Sequence, residues 1–183
     1  MTDWMDLVRS IWFRLRGFTE STLVVIVREA EPLKQLVAQP EETDLPAHVT
    51  VWYPFPRAAL SRTWRRRLEA SFAGEPQFET SLTAVHLFPD SASATPADPA
   101  PFRALSSTVQ ARFRVDHMYG GEFTQFVPHL TLGPRSQVTS ERLNAVERAL
   151  PFAFQVTGVE LWGQRARRWE HIETFRLGPS TGT

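Results

Sequence analysis

The chain has 183 residues, 42% apolar and 22% charged, values that suit one ordinary globular unit with a sizeable core and argue against wholesale disorder or a fibrous class. Its 20 basic residues balance its 20 acidic ones, so it lacks the excess positive charge with which a non-specific nucleic-acid binder neutralises many phosphates. It has no cysteine, which excludes disulfides, thiolate metal ligands and cysteine nucleophiles.

Lys34 is the only lysine; the remaining positive charge is arginine, whose planar fork suits bidentate phosphate recognition. No run of about 18 or more apolar residues occurs, so no membrane span is expected. Asp3 and Asp6 stand where a signal peptide would be basic, and a cytoplasmic location is expected.

Trp4, Leu7, Val8, Ile11, Trp12 and Leu15 recur at helical spacing, with acidic residues early and Arg9, Arg14 and Arg16 later, as the helix dipole favours. Residues 1–17 therefore predict an amphipathic helix ending at Gly17. This extension is expected to pack on the protein's own body or on a protein partner, and residues 18–183 to form a single domain. "STLVVIVRE" predicts a strand, and "EPLKQLVAQ" a short helix with Pro32 in its first turn. "AHVTVWYPF" predicts the second strand. Residues 58–73 predict a helix, with Leu60, Trp64, Leu68 and Phe72 on one side and Arg62, Arg65, Arg66 and Arg67 on a solvated remainder.

"QFETSLTAVHLFPD" predicts one strand, or two separated by a bend, with His86 expected as a satisfied buried histidine because its neighbours are apolar. "SASATPADPAP", residues 91–101, predicts a loop. "PFRALSSTVQARF" predicts a helix, and "DHMYGGEFTQ" a turn-rich connection around Gly120 and Gly121. "FVPHLTLGP" predicts a strand, and "TSERLNAVERAL" a helix capped by Thr139 or Ser140. The closing "FAFQVTGVELWGQRARRWEHIETFRLG" predicts two strands in a hairpin.

Two of these strands carry the same polar pattern. In each, a proline is followed within two residues by histidine, then an apolar residue, threonine and another apolar residue, giving His48 with Thr50 and His129 with Thr131. Alternate side chains of a strand point the same way, about 6 to 7 Å apart, so each histidine shares a face with its threonine. If both faces meet at one cleft, it receives two imidazoles and two hydroxyls. Two histidines that titrate near neutrality can divide the acid and base roles of phosphodiester cleavage without a metal. The hydroxyls can donate to non-bridging phosphate oxygens. Histidines also bind zinc, but no compact third and fourth ligand accompanies them, so neither a metal nor another cofactor is expected.

"AHVTVWYPF", "VPHLTLG" and the tryptophan-bearing closing segment together resemble the 2H phosphoesterase superfamily, and within it the 2'-5' RNA ligase or cyclic phosphodiesterase group. The resemblance covers roughly residues 21–178. It implies a bilobal α+β fold, two related antiparallel sheets with helices outside and a central cleft. It implies metal-independent chemistry on 2',3'-cyclic phosphates or 2'-5' linkages of RNA ends or small nucleotides. Carried over residue by residue, His48 and His129 are the catalytic pair, and Thr50 and Thr131 the phosphate-binding hydroxyls. Trp52, Tyr53 and Arg135 are secondary candidates for base stacking or phosphate contact, with packing the principal expectation for each.

Three alternatives accompany this expectation. One is a protein of the same fold that binds nucleotides or RNA ends with little turnover, another is ligation in the reverse direction, and the third is an assembly protein docking through the N-terminal helix. A monomer is expected.

Overall fold

The first strand, β1 (Phe18–Ile26), is buried continuously from Ser21 to Val25, as a strand must be when it is covered on both faces. It sits inside an eight-stranded sheet of order β6-β3-β4-β5-β2-β1-β7-β8. The computed structural model describes residues 17–39, 45–56, 61–113, 115 and 126–180. The helix expected over residues 1–17 falls almost wholly outside them, as do Gly120 and Gly121.

The other strands are β2 (His48–Trp52), β3 (Phe78–Leu87), β4 (Ser91–Pro96), β5 (Leu130–Pro134), β6 (Phe152–Val156), β7 (Gly158–Arg165) and β8 (Arg168–Arg176). Every neighbouring pair among them is antiparallel. Among the described residues the α-helices are α1 (Glu31–Gln35), α2 (Arg62–Phe72), α3 (Ala100–Phe113) and α4 (Ser140–Ala149). The fold is α+β. Its two lobes are the halves β2-β1-β7-β8 and β5-β4-β3-β6 of one continuous sheet, joined where β2 pairs with β5.

Helix boundaries follow local chemistry. Ser61 caps α2, its hydroxyl accepting from the Trp64 amide at 3.2 Å, and Thr139 caps α4 in the same way through the Arg142 amide. Such caps satisfy amides that have no partner within the helix. Trp64, Leu68 and Phe72 follow each other at one-turn spacing on α2, and Leu68 and Phe72 are fully buried. Arg65 of the same helix reaches Glu173 on β8 at 2.9 Å. The helices supply Leu33, Leu68, Phe72, Phe102, Leu105, Val109 and Val146 to a core shared with Leu23, Val25, Val49, Leu130, Leu161 and Phe175 of the sheet. The sheet face bearing Val49 and Leu130 is therefore the helix-covered one.

Three expectations change. Residues 91–96 of the predicted loop form β4, with Ala92, Ser93 and Ala94 fully buried between β3 and β5. Small residues have weak intrinsic strand preference, and pairing on both sides overrides it; Pro96 lies opposite Leu82 beside a register shift and beyond the residues paired with β5, where a missing amide proton is tolerated. The closing segment forms three strands, because the chain breaks at Thr157: β6 pairs with β3, whereas β7 pairs with β1 and β8. Gly158 makes that step possible, since a Cβ there would lie 2.8 Å from the Phe175 carbonyl oxygen. The third change, at His86, concerns the site.

Candidate functional site

Strand β2 meets β5 with Val49 opposite Leu130. Both are fully buried on the helix side. Stepping one residue along each antiparallel strand puts His48 opposite Thr131 and Thr50 opposite His129, all on the other face of the sheet. Directly opposed side chains on such a pair lie about 5 Å apart at Cβ and diagonal ones about 7 to 8 Å apart. The four residues singled out in the sequence thus form one compact square, with the two histidines on its diagonal. His48, Thr50 and His129 are half-buried and Thr131 is exposed.

The two imidazoles are oriented alike. Nδ1 of His48 lies 2.7 Å from the Pro46 carbonyl oxygen, and Nδ1 of His129 lies 2.8 Å from that of Val127. A carbonyl only accepts, so Nδ1 carries the proton in both and Nε2 is the nitrogen left to exchange one. Each bond runs to the residue two positions earlier.

Their surroundings differ. On β4, Ser93 stands opposite Thr131, and on β3, His86 stands opposite Ser93. The row Thr131, Ser93, His86 therefore crosses three strands on the square's own face. His86 is exposed there, which corrects its expected burial: in a strand, apolar neighbours point to the opposite face, and Val85 packs against the core instead. Phe88 lies between two histidines, its ring centroid 4.4 Å from that of His86 and 4.8 Å from that of His129. Burial pushes the His129 pKa below the ordinary imidazole value; the Val127 carbonyl opposes this, nearby His86 reinforces it, and Asp90 opposes it.

On the other flank, Ile26 stands opposite His48 and Val24 opposite Thr50. Val24 joins Leu45 and Trp162 in a second, smaller apolar cluster, with Ile26 and Trp169 against it. Trp162 donates its indole N–H to Glu160 at 2.8 Å, and His171 packs edge-on to Trp162 with its Nε2 2.9 Å from the Thr174 hydroxyl.

The secondary candidates separate. Trp52 is buried in the main core, in keeping with the packing expectation. The Tyr53 hydroxyl donates to Glu20 at 2.6 Å. Arg135 is exposed, and its backbone amide donates to the Asp90 carbonyl at 2.7 Å. Phe88 and Ser93 carry no motif of their own in the sequence. The alternation of Ala84, His86 and Phe88 against Val85 and Leu87 was the available signal for Phe88.

Residues 22–168, which include all four residues of the square, match the family model described as the 2'-5' RNA ligase superfamily. The chain belongs to the 2'-5' RNA ligase superfamily. It thereby falls among the 2H phosphoesterases, a grouping of phosphoesterases and RNA ligases. No curated protein matches the chain significantly. Among solved structures, this superfamily member is similar to TT0787 of Thermus thermophilus, with TM-score 0.60 and 16% identity over 88% of this chain and 99% of that one. A structure described as a phosphoesterase gives TM-score 0.55 and 16% identity over 87% and 98%. Escherichia coli LigT, solved with 3'-AMP, gives 0.52 and 14% over 86% and 97%. Among the described residues no helix is long and apolar enough to cross a membrane.

Proposed function

We propose that this superfamily member is a metal-independent phosphoesterase that opens 2',3'-cyclic phosphates, or cleaves 2'-5' linkages, at RNA ends or in small nucleotides. The observation that carries the reading is the cross-strand square, with His48 opposite Thr131 and Thr50 opposite His129 on one face.

In hydrolysis of a cyclic phosphate, Nε2 of one histidine takes a proton from water as its oxygen bonds to phosphorus. The P–O bond to one ribose oxygen breaks, and the second, protonated histidine gives that oxygen its proton. Thr50 and Thr131 donate to the non-bridging oxygens, where charge builds in the pentacoordinate transition state. The lowered pKa of His129 keeps its imidazole neutral at neutral pH, which suits it to the base role and leaves the acid role to His48. In ligation a 5'-hydroxyl stands in place of water: one histidine takes its proton as its oxygen bonds to phosphorus, the ring P–O bond to the 3'-oxygen breaks, and the other histidine protonates that oxygen. A nucleotide substrate is also in keeping with LigT, which was solved with 3'-AMP and with phosphate.

The test is incubation with nucleoside 2',3'-cyclic phosphates and 2'-5'-linked dinucleotides in excess chelator, beside His48→Ala and His129→Ala. Turnover that both variants lose is the expected result. Undiminished activity in both would overturn the site. Tight nucleotide binding with no turnover across a wider phosphodiester panel would replace the enzyme with a binding protein of the same fold.

A further inference from the structure

The two motifs share their main-chain bonds, and at the second motif a continuous run of rings also reaches the histidine. His86 ends its side chain against Phe88 at a centroid distance of 4.4 Å and an interplanar angle of 63°. Phe88 in turn meets His129 at 4.8 Å and 48°. These contacts link the β3–β4 hairpin to the start of β5. Ser93, opposite both His86 and Thr131 in the strand ladder, is fully buried and its hydroxyl makes no hydrogen bond.

We infer that Phe88 and His86 are positioning residues for the reaction, the ring stack His86–Phe88–His129 bracing the second-motif imidazole in the orientation that its Nδ1 bond to Val127 selects. The inference rests on the phosphoesterase reading for its catalytic meaning. The stack itself is a property of the substrate-free protein.

Two effects follow from the geometry. Phe88 lies against the His129 ring in a tilted contact at 4.8 Å, so its removal should lessen the burial that disfavours the imidazolium. His86 contributes a like charge whenever it is protonated, so its removal relieves repulsion. Among the described residues, the titratable groups facing His129 are His86 and Asp90 of the hairpin and His48 across the strand pair. Asp90 acts in the opposite sense, favouring the charged ring. Both substitutions on the stack should therefore move the His129 titration upward.

The experiment follows the ring-proton resonances of His129 with pH in the free protein, the assignment fixed by His129→Gln, in the parent and in Phe88→Ala, Phe88→Tyr and His86→Asn. In parallel, the pH profile of kcat/KM is recorded on the substrate that the parent turns over. The expected result is an upward shift of the His129 midpoint in Phe88→Ala and His86→Asn, and the parental midpoint in Phe88→Tyr, which keeps the stack. The acid limb of the profile should move with the midpoint, and kcat in Phe88→Ala should fall about tenfold or more, as loss of orientation at a reacting group does. An unmoved midpoint in both Phe88→Ala and His86→Asn overturns the inference, with or without turnover. Failure of the parent to turn over any substrate, with the midpoints shifting as stated, would count against the enzyme reading and uphold the stack as the brace of His129.

Discussion

Val49 and Leu130 face each other at the junction of the two half-sheets, and this one pairing sets the register of everything on the opposite face. A slip by one residue would send His48 and Thr50 into the helix-covered core and bring Val49 and Val51 to the opposite face. The same register puts each threonine opposite the histidine of the other motif, so each motif is completed by its counterpart.

That reciprocity predicts the effect of removing one hydroxyl. Thr131→Val keeps shape and strand preference while deleting the donor, and Thr50→Val does the same on the other strand. Each should lower kcat by about a hundredfold or more, the scale seen when one preorganised donor to a developing oxyanion is lost. Steady-state kinetics check this. A fall in substrate affinity with kcat intact would instead place the hydroxyl in ground-state binding.

The junction itself should be sensitive to lost volume. Leu130 is fully buried, and Leu130→Ala should cost about 2 to 5 kcal/mol, as buried leucine truncations do. Urea denaturation should show a lower midpoint with an unchanged slope. Unchanged stability would mean that helices, rather than strand pairing, hold the two halves together.

Two residues past the second motif, Gly133 passes close under the turn that follows α1. A Cβ there would lie 2.7 Å from the Ala38 Cβ and 3.1 Å from a Val37 methyl, so Gly133→Ala forces the turn and β5 apart. Overpacking of this kind costs about 1 to 3 kcal/mol, measurable as a fall in thermal midpoint. Because β5 carries Thr131, activity should fall further than the remaining folded fraction accounts for.

The acid side of the stability curve follows from His129. Its folded-state pKa lies below the ordinary value near 6.5, so as pH falls through that value the unfolded chain takes up a proton before the folded protein does. Stability should therefore drop between the ordinary value and the lowered one, then cease to change on this account below both. Denaturant titrations at pH values spanning this window should show the drop in the parent and a smaller one in His129→Gln. Equal drops would mean that another group carries the acid sensitivity.

The sequence disclosed the square's members but not its form. The His-x-Thr spacing is local, and a period of two decides that His48 and Thr50 share a face. That β2 lies directly beside β5 is a long-range pairing that no local pattern encodes. Local pattern also failed in β4, where Ala92, Ser93 and Ala94 read as a loop because their burial depends on neighbours distant in the chain. At His86 the strand alternation sets the ring on the face opposite Val85, which packs against the core, while the other apolar neighbour, Leu87, is itself exposed. The closing hairpin hid a third strand because "FAFQV" and "GVELW" run together without a charged or turn-rich break.

The imidazole anchors have a further consequence. In a serine-protease triad the orienting partner of the histidine is a carboxylate, and its conversion to an amide turns the ring to the wrong tautomer at a cost of about four orders of magnitude in rate. Here the orienting groups are the peptide oxygens of Pro46 and Val127, which no codon change can delete. Any sequence that keeps the two strands in place inherits the tautomer with the chain trace, and side-chain changes around the rings leave that choice of nitrogen intact.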